Sequence, residues 1–303
     1  MNTLRLALLA IVVLLLANVP SADAEPLPLT GRRICIDPGH DARWAPGASG
    51  RNHAGVVPVH PAEGVPLHEH ELTLSVAYRL KALLEAHGAE VCVTQRPRVE
   101  GGGNHVEPSD FTGDGLVRVA GVEDTPERTQ PRIDWANDFG AEILVSIHFN
   151  GLEDRRVRGT EVYYTDGGPR ETSNRLLAVS LLDELLAELR GVGFDATSRG
   201  VRSDLYQRYG PDDTRRLLQH NASTIRANGH DPANCRECLR LMTTGSNPMS
   251  VRRGSYVAAL VEVEFLSNPD VVERLILRPD AFDVIARGLE RGVLAYYAAQ
   301  PKE

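Results

Sequence analysis

Short apolar runs interleave along this 303-residue chain with stretches of helical spacing, and that interleaving leaves few folds open. The runs lie at residues 32–36, 89–95, 142–149, 159–165 and 256–266, each the length of a strand. In residues 68–87 Leu72, Val76, Leu80, Leu83 and Leu84 share one helical face, and Gly88 supplies a stop. Residues 130–139, 173–189 and 280–298 also read as helices. Strands separated by amphipathic helices predict an α/β domain, a mostly parallel sheet flanked by helices. Two stretches break the rhythm: residues 98–127, rich in Gly, Asp and Glu, and residues 204–254, which are polar. Connections that long are functional or folded in their own right, so both are read as long loop insertions in a single domain.

The amino end carries one arginine, an apolar run from Leu6 to Leu16, and Ala22-Asp23-Ala24 before Glu25. That is the layout of a cleavable secretory signal peptide, expected at residues 1–24, and the run is short for a bilayer span. Residues 25–303 then form the exported domain, periplasmic or extracellular, with no membrane span after cleavage. A net charge of −8 and the absence of any basic arm exclude nucleic acid as the expected partner. Four cysteines in an exported chain favour disulfides. Cys35 and Cys92 fall in two strands joined by one helical crossover, so they face each other as a bridge or as two buried thiols. Cys235 and Cys238, a C-x-x-C within the 204–254 insertion, are read as stapling their own loop.

The first strand ends in Asp37-Pro38-Gly39-His40, turn residues followed by a histidine. Open α/β sheets place ligands just past the carboxyl ends of their strands. The run at 142–149 repeats the arrangement and carries His148 next to its end. Two histidines so placed can share a metal, and hydrolytic zinc centres commonly take two histidines and a carboxylate. The helix at 68–87 offers Glu69 and Glu71; Glu69 shares the face of Leu72 and Val76, so it points at the sheet. A fourth element is Glu262 and Glu264 inside the apolar strand 256–266. An acid there is costly unless paired or bound. Their spacing of two puts both on one side, and alternation leaves open which of them reaches the metal.

Taken together these residues resemble the zinc-dependent N-acetylmuramoyl-L-alanine amidases, the family typified by the bacterial cell-division amidases. The family's D-P-G-H, a Glu opening the next helix, S-I-H-x-N and L-V-E-x-G-F-L-S-N appear in order as Asp37–His40, Glu69, Ser146–Asn150 and Leu260–Asn268. Pro46-Gly47-Ala48, Arg132 with Ala136-Asn137, and Arg199-Gly200-Val201 are further matches. The resemblance implies that His40, Glu69 and His148 bind Zn2+ and that Glu262 is the catalytic carboxylate. It also implies the substrate, the amide joining N-acetylmuramic acid to L-alanine in peptidoglycan. The chain departs from the pattern at four points. The glycine after His40 is missing, and residues 41–68 are long and carry His53, His60 and His68. His70 replaces a lysine, and Glu264 stands where a small residue is preferred. Two alternatives follow from the same residues: a catalytically silent peptidoglycan-binding or regulatory protein on this fold, and a zinc amidase for a different amide. No activator is legible in the sequence.

Overall fold

The computed structural model describes residues 26–40, 67–95, 129–205, most of 215–235 and 253–300. The expected signal peptide, the loop at 98–127, His53, His60 and Cys238 lie outside the described residues. Six strands form one sheet: β1 (Arg33–Pro38), β2 (Glu90–Val93), β3 (Ile143–Asn150), β4 (Thr160–Tyr164), β5 (Ser198–Ser203) and β6 (Val257–Phe265). Their spatial order is β2-β1-β3-β6-β4-β5. The first four in that order run parallel, β4 runs antiparallel to β6, and β5 follows β4 in parallel. The sheet is therefore mixed but mostly parallel, as the alternation predicts. The reversal at β4 arises because the short segment 151–159 joins it to β3 without a helix.

The longer helices are α1 (Glu69–Ala86), α2 (Thr129–Phe139), α3 (Glu171–Gly191), α4 (Ala222–Ala227) and α5 (Ala281–Ala298), and a short helical turn, Pro269–Val271, runs into a π-helical one, Val272–Ile276, between β6 and α5. On one face of the sheet Ile34, Ile36, Val145, Ile147, Val261 and Val263 pack under the apolar sides of α1, α3 and α5. On the other face Cys35, Cys92, Leu144 and Ala258 meet Ala136 of α2. Strand alternation thus sorts side chains onto two covered faces. α3 and α5 lie close because Gly288 and Gly292 face Leu185 and Leu181. A Cβ at Gly292 would stand 2.7 Å from the Leu181 Cα, and one at Gly288 2.8 Å from the Leu185 Cα.

Cys35 and Cys92 are direct register partners of β1 and β2 and are joined by a disulfide, with Cα atoms 4.6 Å apart. Cys235 is disulfide-bonded as well. The 204–254 insertion has structure of its own: Leu218 and Ile225 form a small apolar cluster with Cys235 beside α4. Among the described residues no helix is long and apolar enough to cross a membrane.

Candidate metal centre

The site is built at the carboxyl edge of β1 and β3. Asp37 to His40 turn the chain sharply, and His40 adopts φ 61, the left-handed region that residues with a Cβ rarely occupy. Such strain persists only where neighbours over-determine it. Here the neighbours are identifiable. Arg132 of α2 donates from Nη2 to the His40 carbonyl at 2.6 Å and from Nη1 to the Pro38 carbonyl at 2.7 Å. Gln95, just past β2, donates from Nε2 to the same two carbonyls. The Arg132 guanidinium also pairs with the buried Asp37 carboxylate at 3.0 Å, which accepts from Thr94 and Ser146 too. Residues from three elements therefore fix one turn.

Gly39 belongs to the same construction. A Cβ on it would come within 2.5 Å of the His148 imidazole, so only glycine lets that ring lie against the turn. The rings of His40 and His148 meet edge to face with centroids 5.0 Å apart. Glu69, the first residue of α1, is fully buried and brings Oε1 to 3.1 Å from His40 Nε2 and 3.5 Å from His148 Nδ1. The Phe149 amide donates to that same oxygen at 2.9 Å. Burial alone would push the Glu69 carboxyl up; hydrogen bonds and charge from His148 and His40 outweigh it and hold it at about 2. Glu69 is thus a carboxylate facing two imidazoles.

His40, Glu69 and His148 each offer a donor atom, and the three atoms lie within 4.8 Å of one another. Two imidazole nitrogens and one carboxylate oxygen are a donor set that suits zinc. Among the described residues the buried Nε2 of His148 makes no hydrogen bond. These residues fit a zinc ion.

Glu262 sits beside this set. It is the register partner of His148 across β3 and β6, and of Glu161 across β6 and β4. Paired residues of neighbouring strands point the same way, so His148, Glu262 and Glu161 form a row on one face. The register then shifts between His148 and Asn150, where β6 carries one residue more than β3. Beyond that bulge Glu264 turns to the Gly159 and Phe265 amides at 2.6 and 3.1 Å. Burial pushes its carboxyl above the usual range despite those two donors. The two glutamates that alternation could not separate thus occupy different surroundings, and Glu262 alone stands in register with a histidine of the set. His68 and His70 lie together, ring centroids 5.5 Å apart, at the start of α1.

Glu161 escapes sequence reasoning. It is buried, accepts from Asn150 Nδ2 at 2.6 Å and Tyr163 Oη at 2.9 Å, and pairs with Arg199 and Arg202 at 3.0 and 3.1 Å. Burial raises its carboxyl, but the guanidinium and phenol contacts leave it below the usual range. The available signal was an acid in the otherwise strand-like run 159–165, the same cost argument that singled out Glu262.

An α/β sheet with two histidines and a buried glutamate converging at its carboxyl edge defines an α/β protein with a candidate metal-hydrolase centre. The comparisons with known proteins say which kind. The family model for N-acetylmuramoyl-L-alanine amidases matches residues 34–294, and the chain belongs to that family. A germination-specific N-acetylmuramoyl-L-alanine amidase of Bacillus subtilis (strain 168) is 25% identical over 271 residues, covering 89% of this chain and 82% of that protein. The solved amidase AmiC2 of Nostoc punctiforme aligns with a TM-score of 0.51 at 21% identity, over 88% of this chain and 98% of that one. The CwlD amidase from Clostridioides difficile, solved in complex with the GerS lipoprotein, aligns at 0.52 and 17%, over 89% and 100%. At these identities the structural likeness speaks for the fold.

Proposed function

We propose that this chain is an exported, zinc-dependent N-acetylmuramoyl-L-alanine amidase with His40, Glu69 and His148 as metal ligands and Glu262 as catalytic carboxylate. Its substrate is peptidoglycan, and the bond is the amide between the lactyl group of N-acetylmuramic acid and L-alanine of the stem peptide. The mature protein begins at Glu25 and forms one catalytic domain with the 204–254 insertion. The observation that carries the reading is the row on one sheet face. Glu262 is the register partner of His148, and His148 shares Glu69 with His40.

Zinc held there would polarise the amide carbonyl and lower the pKa of an attacking water. The protein's own groups do the rest. The Phe149 amide and the buried flank of α1 hold Glu69 Oε1 towards both imidazoles. Arg132 and Gln95 hold the turn that presents His40. The Glu262 carboxylate takes a proton from the attacking water and delivers it to the leaving nitrogen. The water oxygen bonds to the lactyl carbon as the carbon–nitrogen bond breaks. The products are a lactyl carboxylate on the glycan and a peptide with a free L-alanine amine. Chelation tests this directly: stripping the metal is expected to stop hydrolysis of purified sacculi, and zinc alone to restore it. Full activity in the stripped protein would overturn the proposal.

A further inference from the structure

The mechanism leaves Arg199 unused, and its placement is unusual. β4 and β5 run parallel, yet their register slips from Thr160 opposite Ser198 to Glu161 opposite Gly200, so Arg199 is the extra residue of a bulge. Bulges are rare in parallel pairs and characteristically re-aim a side chain beside an active site. Gly200, with φ +88, supplies the backbone this requires. The bulge brings Arg199 Nε to 3.0 Å from Glu161 Oε2, and Glu161 is the register partner of Glu262.

One edge of the guanidinium is therefore anchored on a buried carboxylate, and its Cζ lies over the Phe265 ring, 5.0 Å from the centroid. Among the described residues its two terminal nitrogens have no hydrogen-bond partner, and the side chain is 30% exposed. Glu161 takes two guanidiniums, Arg199 and Arg202, and Arg199 also lies within electrostatic reach of the buried Glu264. A guanidinium fixed at Nε with its terminal fork towards solvent is pre-organised for a carboxylate.

We infer that Arg199 is a specificity residue: it binds the carboxylate of an acidic residue that follows L-alanine in the stem peptide. This rests on the amidase reading above. Distance agrees with it. His148 and Glu161 are two strand spacings apart, about 10 Å. Two extended residues beyond the scissile amide span about 7 Å, and the arginine side chain bridges the remainder.

The test compares two soluble fragments. One is N-acetylmuramoyl-L-alanyl-D-glutamate with its γ-carboxyl capped as a methylamide, so that the α-carboxylate is the free one, and the cap is kept in both fragments. The other is its isoglutamine counterpart, in which that group is a carboxamide. The wild-type protein is expected to favour the carboxylate form by about tenfold or more in kcat/KM, with the difference in KM, the scale of a hydrogen bond to a charged group. Arg199→Gln should bring the two fragments within about twofold. Arg199→Lys, which keeps the charge without the fork, should retain part of the preference. Equal kcat/KM values for the wild type overturn the inference and leave the amidase reading intact. A tenfold preference surviving in Arg199→Gln also overturns it. If the wild type cleaves neither fragment at the N-acetylmuramoyl–alanine bond, the amidase reading falls and this inference with it.

Discussion

Replacing Arg132 with methionine removes the guanidinium that closes the His40 turn while keeping much of the aliphatic volume. Three acceptors lose a donor: the Asp37 carboxylate, the Pro38 carbonyl and the His40 carbonyl. Asp37 is only 1% exposed, so the variant strands a buried charge. Breaking a buried pair in this way costs about 3–5 kcal/mol. Thr94 and Ser146 still donate to Asp37, which places the expected loss near the lower bound, about 3 kcal/mol. For a domain of this size that is a fall in Tm of about 6–12 °C. Urea unfolding reads the loss as a lower midpoint at unchanged slope. The turn also presents His40, so zinc affinity measured against a chromophoric chelator should fall about 10- to 100-fold, the usual effect of losing an outer-shell contact. Arg132→Lys keeps the charge but cannot reach three acceptors with a planar fork, and should lie between. A methionine variant that unfolds within about 0.5 kcal/mol of wild type and binds zinc equally well would refute the reasoning, since surface substitutions do no more than that.

The proposed proton carrier gives a second prediction. Glu262→Gln keeps shape but cannot accept a proton, so turnover should fall by about 10²-fold or more while zinc content stays the same; Glu264→Gln should act more mildly. Gly292→Ala puts a methyl against the Leu181 backbone, and the strain, about 1–3 kcal/mol, should exceed the helix-propensity gain of about 1 kcal/mol, a net destabilisation readable by thermal melting. The Cys35→Ala/Cys92→Ala double variant, which loses the β1–β2 bridge, should lose about 2–4 kcal/mol in urea unfolding. Glu161 titrates below its ordinary value of 4.5, so its stabilising contribution is complete above that pH and declines as pH falls below it. The stability gap between wild type and Glu161→Gln should therefore narrow on acidification.

What the sequence reveals here follows from where side chains point. The buried strands β1, β3 and β6 announce themselves as apolar runs, and α1 as a helical stripe, because burial on covered faces demands it. Glu69 is legible for the same reason: the stripe that buries Leu72 and Val76 buries it as well. β5 is not legible. Ser-Arg-Gly-Val-Arg-Ser is an edge strand with half-exposed side chains, and it carries no apolar alternation. Arg132 and Gln95 were invisible as turn-holders, since they are 92 and 55 residues from the carbonyl they hold. Choosing between Glu262 and Glu264 lay beyond alternation because a bulge follows Glu262 and re-aims Glu264, a feature of pairing rather than of either strand. The family resemblance supplied that choice, which stays a proposal; Glu262 is the register partner of His148.

The chemistry of the bond is the point on which the account stands or falls. Purified sacculi should be digested with the zinc-loaded protein and the soluble products identified by mass spectrometry and end-group labelling. The expected products are stem peptides whose new amino terminus is L-alanine and glycan strands stripped of peptide, with no new reducing sugar ends. New reducing ends, or new amino termini on any residue other than L-alanine, would contradict it.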